Sequence, residues 1–411
     1  MTGVQTCALP ILVMAFDVNR IRKEFPALDS EIAFFDGPGG SQVPKSVGDA
    51  IAKAITQPTS NRNTVTLSEQ NAEKCVQDYR HAVADLLNCD PNGVMYGRSW
   101  TQLTYDLSRN LAKSWGPGDE IIVTRLDHDS NIRPWVQAAE SKGATVKWAE
   151  FDIETAELPV EAITSLLTNK TKFVACTGAA NTLGTRPDIA AIAKPVHSIG
   201  ALFLVDAVHL TPHAAIDFKE IGADFIGFSS YKIFGPHCAT LVANPALLET
   251  VKNDKLAPST SVVPERFEFG TLPYEIMAGV TASIDFIAGM DHEATGSRRE
   301  RIVKSMQALE DYEHPLFEYM EMQIKALPGV KTYGHAKNRT PTLYFNFEGK
   351  DSVEIYKHLA KLKINAPAHN FYAYEASHKL GLGDKGAMRA GLAPYSTKED
   401  VDRLVVGLKS F

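Results

Sequence analysis

Residues 201–209 read ALFLVDAVH, and residues 225–237 read FIGFSSYKIFGPH. Each stretch begins with a short run that is apolar on both faces and then turns polar, at Asp206 in the first and near Lys232 in the second. Runs of this kind are typical of strands in a sheet that helices cover on both sides. Ligands of such sheets bind beyond the carboxyl ends of the strands, which makes Asp206 and Lys232 candidate site residues.

Similar apolar runs extend in both directions from these two. They lie at residues 93–97, 120–126, 145–151, 172–176 and 239–243, and helical patterns occur between runs at 131–141 and 187–199. Alternation of strands and helices favours an α/β domain. The runs together predict a large domain on a mostly parallel seven-stranded sheet, and we expect that domain to span residues 34–285.

The pattern changes after about residue 270. A helical region at 274–327, interrupted near 289–296, is followed by a strand at 342–347, a helix at 352–362, a strand at 387–393 and a helix from Lys398. This order predicts a small C-terminal α+β domain at residues 286–411, and residues 14–33 are expected to form an N-terminal segment that packs with it.

Composition narrows the class of protein. The chain has 411 residues and a formal net charge of −7, which disfavours nucleic acid as a partner because phosphate binding needs a basic face. No apolar stretch is long enough to span a bilayer, so no membrane association is expected. The 5 cysteines are widely spaced without a CxxC pair, which favours a reducing cytoplasm over a disulfide framework. Residues 1–13 read unlike the rest, resemble translated adapter sequence, and are expected to be a non-native leader.

Lys232 and Asp206 each allow two interpretations. A lysine at the edge of an apolar sheet loses hydration, which lowers its pKa and makes the amine a nucleophile toward a carbonyl. A surface lysine at the start of a loop is the alternative. Asp206 puts a carboxylate at the end of a buried strand, where it serves a ligand or simply caps the next turn.

The stretch 96–104, YGRSWTQLT, predicts a strand, a turn and a helix start. Free backbone N–H groups and the helix dipole can hold a phosphate at such a place, and Ser99 or Thr101 can add a hydroxyl. Plain N-capping explains the same residues equally well.

Taken together, the motifs resemble those of the class V aminotransferase-like group of fold-type-I pyridoxal-5'-phosphate (PLP) enzymes, especially the cysteine desulfurase and selenocysteine lyase branch. The resemblance runs from about Phe34 to the C-terminus and includes DHDSNIRPW at 127–135, NTLGT at 181–185, FGT at 269–271 and MRAGLAPY at 388–395. It implies the fold-type-I architecture, a PLP cofactor, an amino-acid substrate and a homodimer with shared active sites.

The resemblance also implies roles for single residues. Lys232 matches the lysine that forms the Schiff base, Asp206 the carboxylate that keeps the pyridine nitrogen protonated, and His128 the histidine that stacks on the ring; these three would be catalytic. Arg389 would clamp the substrate carboxylate, and His369 is a further candidate for substrate contact. The resemblance implies four further groups of cofactor contacts. The phosphate turn contributes Ser99, Trp100 and Thr101, and the ring oxygen is met by Asn181 and His209. Ser229 and Tyr231 lie next to the lysine, and Gly270 and Thr271 belong to a segment that reaches the partner subunit's phosphate.

Two positions depart from the desulfurases. Tyr231 stands before the lysine where many of them have histidine, although tyrosine can also donate to a phosphate. True desulfurases carry a persulfide-forming cysteine on a mobile loop near residues 365–373 (NAPAHNFYA), where Tyr372 stands here, and no cysteine follows Cys238. Cys176 and Cys238 lie in or beside apolar strands and are expected to be buried.

A pair of histidines and a glycine-rich turn each allow two interpretations. His209 and His213 could suggest zinc, but a cofactor contact and a structural histidine are favoured, so no metal site is predicted. Residues 37–40, GPGG, form a turn that either closes over the substrate or has no role beyond the turn itself.

These residues favour a PLP-dependent, cysteine desulfurase-like C–S lyase that acts on an amino acid by β-elimination or desulfuration. A class V aminotransferase or an amino-acid epimerase on the same scaffold is the alternative, because all three reactions share one carbanion. A non-catalytic α/β scaffold is a third possibility, although no GxGxxG fingerprint follows the first strand to support nucleotide binding.

Overall fold

The computed structural model describes residues 16–411, so the predicted leader at 1–13 lies outside the described residues. The strands are β1 Ala33–Phe34, β2 Val94–Gly97, β3 Glu120–Thr124, β4 Thr145–Ala149, β5 Thr171–Thr177, β6 Leu202–Asp206, β7 Phe225–Ser229, β8 Ala239–Ala243, β9 Val330–Tyr333, β10 Thr342–Phe347, β11 Ile364–Asn365, β12 Ala368–His369 and β13 Ala387–Gly391. The helices are α1 Val18–Arg22, α2 Lys45–Thr56, α3 Leu67–Leu87, α4 Trp100–Leu111, α5 Arg133–Glu140, α6 Val160–Thr164, α7 Ile189–Ser198, α8 Phe218–Ile221, α9 Pro245–Thr250, α10 Tyr274–Ala288, α11 Arg298–Lys325, α12 Ser352–Lys361, α13 Tyr374–Lys379 and α14 Lys398–Lys409.

The main sheet has seven strands in the order β2-β8-β7-β6-β5-β3-β4. Neighbouring strands are parallel except at β8, which is antiparallel to both β2 and β7. Both faces of the sheet are buried: along β5, Phe173 and Ala175 enter one hydrophobic core, while Val174 and Cys176 enter another. Helices α4 and α5 cover the first face and α3, α7 and α10 the second, which is why the strands read as apolar on both sides.

The predicted mostly parallel seven-stranded sheet and fold class are confirmed. Each of the seven predicted runs is a strand of the main sheet. Helix α5 begins at Arg133 rather than at 131, because residues 129–131 form a separate 3-10 turn. The predicted strand at 387–393 is shorter and ends at Gly391.

A second sheet, β12-β13-β10-β9, is antiparallel and packs against α11, α12 and α14. The N-terminal segment lies beside it: β1 pairs in parallel with β11, and Arg22 forms an ion pair with Asp400 at 3.0 Å. The boundaries proposed for the two domains remain predictions. None of the helices within residues 16–411 is both long and apolar enough to cross a membrane.

Helix α4 reaches the middle of the sheet because strand β7 has a glycine beneath it. A Cβ on Gly227 would lie 2.0 Å from Cζ3 of Trp100 and 2.6 Å from the Thr240 carbonyl oxygen. The indole of Trp100, which is 3% exposed, therefore occupies the space that a side chain at 227 would need.

We expect Gly227→Ala to lower the free energy of unfolding by at least about 2 kcal/mol, because the added methyl overpacks the core against Trp100. Urea unfolding followed by tryptophan fluorescence measures the change. Gly116→Ala is the matched control, since a Cβ at Gly116 would meet no atom within 4 Å. Equal unfolding free energies for the two variants would contradict the packing argument.

Candidate active site

Three strands of the main sheet deliver polar residues to one edge. Thr177 at the end of β5 is aligned with Asp206 at the end of β6, and Asp206 is aligned with Gly227 in β7. A 3-10 turn, Ser230–Lys232, follows β7 and directs the chain back over this edge. The residues enclose a cavity of about 500 Å³, part of it open to solvent. Its lining comprises Ser99, Trp100, Thr101, His128, Ser130, Thr177, Ala179, Asn181, Asp206, Val208, His209, Ser229, Tyr231 and Lys232.

Lys232 is the buried cation of this cavity. Its side chain is 7% exposed, and its Nζ donates to the Pro38 carbonyl oxygen at 2.6 Å. Burial, together with the positive charge of Arg389, lowers the pKa of the Lys232 amine to about 7, although Asp206 opposes the shift. An amine with this pKa is neutral and nucleophilic in a large fraction of molecules near neutral pH.

Asp206 has both carboxylate oxygens in defined hydrogen bonds. Oδ2 accepts from the indole Nε1 of Trp100 at 2.7 Å, and Oδ1 accepts from the Val208 N–H at 2.9 Å. Burial raises the pKa of Asp206 to about 6, despite these hydrogen bonds and the nearby Lys232. Trp100 was predicted within the phosphate turn, and the structure shows that it also orients this carboxylate.

His128 lies in the same cavity as a neutral ring. Burial, aided by the charges of Lys232 and Arg389, lowers the pKa of His128 to about 3. The Ser130 N–H donates to Nδ1 at 3.1 Å, and the Ser130 hydroxyl lies 2.7 Å from that same nitrogen. Nδ1 is therefore an acceptor, and the ring carries its proton on Nε2.

The loop that holds His128 depends on Asp127, a residue that sequence reasoning missed. Asp127 is fully buried, accepts from Asn131 Nδ2 at 2.6 Å and also from the Thr124 hydroxyl. Burial, with the charge of Asp206 adding to it, raises the pKa of Asp127 to about 8. Its position directly after an apolar run and before His128 is the signal that could have identified it.

The predicted phosphate turn forms the open end of the cavity. Ser99 is the N-cap of α4, and its hydroxyl accepts from the Gln102 N–H at 3.2 Å. Ser99 and Thr101 are both exposed, and the first N–H groups of α4 point out of the helix end beside them. Ser229 and Tyr231 line the same cavity, where the Tyr231 ring stacks on His237 with centroids 5.0 Å apart.

Asn181 and His209 bring unpartnered polar atoms to the cavity. Asn181 Oδ1 and His209 Nδ1 are buried without a hydrogen-bond partner among residues 16–411. Their other polar atoms are occupied: Asn181 Nδ2 donates to the Phe371 carbonyl oxygen at 2.9 Å, and His209 Nε2 lies 3.0 Å from the hydroxyls of both Thr340 and Thr342. Buried polar atoms rarely stay unpaired, so these two indicate a ligand.

Arg389 adjoins the cavity on strand β13 and is 2% exposed. Its Nη1 donates to the Asn181 carbonyl oxygen at 3.0 Å, and its guanidinium lies over the Phe371 ring, 3.7 Å from the centroid. Burial lowers the pKa of Arg389 to about 9. No carboxylate in the described part of the chain lies within 4.0 Å of this guanidinium, so it is available to an anionic ligand.

The loop that follows β12 is attached to the large domain. Phe371 and Tyr372 both have left-handed backbones, with φ of 52° and 58°. The Tyr372 carbonyl oxygen accepts from the Asp129 N–H at 2.7 Å, and the Tyr372 N–H donates to Asn370 Oδ1 at 3.1 Å. Hydrogen bonds on both sides of the left-handed pair hold a conformation that non-glycine residues adopt rarely.

Besides Arg389, three further predicted site residues lie outside the cavity lining. His369 is exposed and lines a separate depression together with Asp129 and Tyr372. Gly270 and Thr271 are also exposed, and neither belongs to the cavity lining.

The Lys232 pKa can be tested on the protein free of ligand. We expect the amine to be protonated and unreactive below pH 7 and to react fully above it, because its pKa is about 7. Arg389→Met removes a buried positive charge and should raise that pKa by about one unit. Competitive acetylation over a pH series, followed by mass spectrometry of the Lys232 peptide, measures both values. Arg109→Met, which removes an exposed charge, is the control, and an ordinary lysine pKa in the wild type would contradict the prediction.

Comparison with known proteins places most of the chain in one family. Residues 33–404 match the family model described as Aminotransferase class-V. An uncharacterized protein of Mycobacterium tuberculosis is 35% identical, with 97% of this chain and 100% of that protein aligned. A cysteine desulfurase of Pectobacterium carotovorum is 26% identical over 96% of this chain and 98% of the relative. The solved structure of the cysteine desulfurase CsdA from Escherichia coli has a TM-score of 0.84 at 24% identity, covering 96% of this chain and 98% of that one. The chain thus belongs to the aminotransferase class V family and is a PLP-dependent, cysteine desulfurase-like enzyme.

Proposed function

We propose that the protein is a C–S lyase that eliminates a sulfur substituent from the β-carbon of an amino acid. The observation that carries this proposal is the Lys232 amine, buried and with a pKa near 7, in a cavity shared with Asp206 and close to the unpaired Arg389. The family membership adds the cofactor, and it leaves no support for a non-catalytic scaffold.

The residues present fit PLP. Among residues 16–411, His209 Nδ1 is buried without a hydrogen-bond partner and can carry the proton that a ring oxygen would accept, since Nε2 can accept from the hydroxyls of Thr340 and Thr342. Asn181 would meet the same oxygen through its amide N–H group, which in the free protein donates to the Phe371 carbonyl oxygen. The exposed hydroxyls and N–H groups at the start of α4 suit a phosphate, and Asp206 suits a pyridine nitrogen. We assign the phosphate contacts to Ser99, Thr101, Ser229 and Tyr231. His128, Asp206 and Trp100 would contact the ring, and Asn181 and His209 would contact the ring oxygen. Lys232 would bind the aldehyde.

Bound PLP supplies an electron-accepting ring that stabilises negative charge on the substrate α-carbon. Arg389 would bind the α-carboxylate through its free N–H groups, and this would orient the α-hydrogen toward Lys232. The neutral amine of Lys232 then removes that proton, and the ammonium it forms can return the proton to the departing sulfur. His128, kept neutral by burial, offers a flat ring and one N–H on Nε2 to the reacting groups.

Elimination without a protein persulfide is the form of this chemistry that the four cysteines within residues 16–411 support. Persulfide transfer needs a reachable thiolate. Burial raises the pKa of the Cys89 and Cys238 thiols to about 12 and raises the pKa of Cys75 and Cys176 as well. Tyr372, in the loop where desulfurases carry their cysteine, is 70% exposed and has no thiol to offer.

We also propose a homodimer in which each site borrows residues from the other subunit. The phosphate end of the cavity is open at Ser99 and Thr101, while Gly270 and Thr271 are exposed without a role in their own chain. The segment that carries them is held at a fixed place, since Arg80 and Glu268 form a buried ion pair at 2.8 Å. A cytoplasmic location is part of the same proposal, and the free thiols of Cys75, Cys89, Cys176 and Cys238 agree with it.

Covalent attachment at Lys232 is the first test. Borohydride reduction of the PLP-loaded protein should leave a pyridoxyl group on the Lys232 peptide, and Lys232→Ala should lose both the adduct and activity by about 10²–10⁴-fold. Lys142→Ala, which changes an exposed lysine, should retain both. An adduct found only on other peptides would refute the assignment.

Product analysis separates the lyase from its alternatives. With cysteine as substrate, we expect sulfide, pyruvate and ammonia, and an intact protein mass without added sulfur. Alanine together with sulfur on a cysteine peptide would instead establish persulfide transfer. An aminated cofactor with a sulfur-containing keto acid would establish a transaminase, and racemised substrate would establish an epimerase.

A further inference from the structure

We propose that Gly39 is a specificity-determining residue of the substrate site. The absence of a side chain at this position leaves one edge of the Arg389 guanidinium open to a carboxylate. This inference deepens the proposed function and rests on it, because it concerns how the amino-acid substrate is recognised. It also assigns a role to the turn at 37–40, for which the sequence left two alternatives.

The N–H groups of Arg389 are not equally available. Nη1 already donates to the Asn181 carbonyl oxygen at 3.0 Å, and Phe371 covers one face of the guanidinium at 3.7 Å. Nε is buried without a partner among the described residues, and Nη2 makes no hydrogen bond there either. The free edge is therefore the one formed by Nε and Nη2, and this pair of parallel donors matches the two oxygens of a carboxylate.

Gly39 lies against this free edge. A Cβ built on Gly39 would be 3.2 Å from Nη2 of Arg389 and 3.1 Å from the Asp36 carbonyl oxygen. Gly39 is not among the residues with a positive φ, so its backbone would accept a side chain without strain. The need for glycine is therefore a need for space between the Asp36 carbonyl oxygen and the Arg389 guanidinium.

The turn cannot move aside to make that space. The Gly39 N–H donates to the Asp36 carbonyl oxygen at 2.7 Å, and the Ser41 N–H donates to that of Tyr231 at 3.0 Å. Pro38 fits against Gly391 so closely that a Cβ there would come within 2.2 Å of its ring. A side chain at position 39 would consequently displace the guanidinium rather than the turn.

The same turn also contacts Lys232. The Pro38 carbonyl oxygen accepts from the Lys232 Nζ at 2.6 Å, so one peptide unit separates the contact to the amine from the contact to Arg389. The two groups proposed to act on the α-carbon and on the α-carboxylate thus share one wall. A substrate held between them presents its carboxylate to the edge that Gly39 leaves open.

The test compares an amino acid with its decarboxylated analogue. Alanine and ethylamine are titrated against the PLP-loaded protein, and each dissociation constant is read from the visible absorption of the bound cofactor. For Gly39→Ala we expect alanine to bind about tenfold more weakly, a loss of about 1.4 kcal/mol, and for Gly39→Val more weakly still. Ethylamine, which has no carboxylate, should bind all the variants with an unchanged constant.

Gly37→Ala is the matched control within the same turn. A Cβ on Gly37 would lie 3.5 Å from the Leu392 carbonyl oxygen and 3.6 Å from the Ala393 Cβ, which is ordinary contact. This variant should keep the wild-type preference for alanine over ethylamine, and thermal unfolding checks that all variants fold.

Two different failures can be told apart. If the wild-type protein forms no PLP absorption band or ignores alanine, the proposed function fails and this inference with it. If the wild type prefers alanine and both Gly39 variants keep that preference, or lose alanine and ethylamine alike, the role of Gly39 alone is overturned.

Discussion

The burial of the Lys232 amine is the constraint on which the rest of the site depends. The parallel strands of the main sheet end at one edge, and the turn after β7 leaves the amine in a cavity that is partly open to solvent. Desolvation there disfavours the ammonium form, which is the form that cannot attack a carbonyl. Burial is the largest cause of its pKa of about 7, while Arg389 lowers that pKa further and Asp206 opposes the shift.

The site has buried basic groups that lack anionic partners in the described part of the chain, and anionic groups of its ligands would supply them. The Arg389 guanidinium is buried beside the cavity and Lys232 is buried within it, while the acidic member, Asp206, has its oxygens in hydrogen bonds with Trp100 and Val208. Burying charges without partners costs free energy that the surrounding fold must offset. A phosphate at the start of α4 and a carboxylate at Arg389 would supply the missing partners, so binding and charge compensation become the same event.

The sequence predicted the sheet and much of the site for a common reason. Buried strands leave long apolar runs, and the polar residue that ends each run lies at the ligand-binding edge, as Asp206 does. Residues whose role depends on other side chains were harder to identify. Asp127 also follows an apolar run, but its burial and its hydrogen bond from Asn131 appear only in the fold, and Gly39 looks like any turn glycine until β13 brings Arg389 against it. The very short strands β1, β11 and β12 were missed because two residues carry no periodicity.

The hydrogen bonds that hold the loop around Tyr372 limit how a persulfide-forming enzyme could evolve from this one. Two consecutive left-handed residues, tied to Asp129, Asn181 and Asn370, leave this stretch little freedom to swing. A single codon change from Tyr372 to cysteine would place a thiol near His128, whose ring lies 5.6 Å from that of Tyr372, but on a loop too restrained to carry sulfur to an acceptor. Evolution from an enzyme that eliminates sulfur to one that carries it would therefore have to change the backbone of this loop as well as the side chain at position 372.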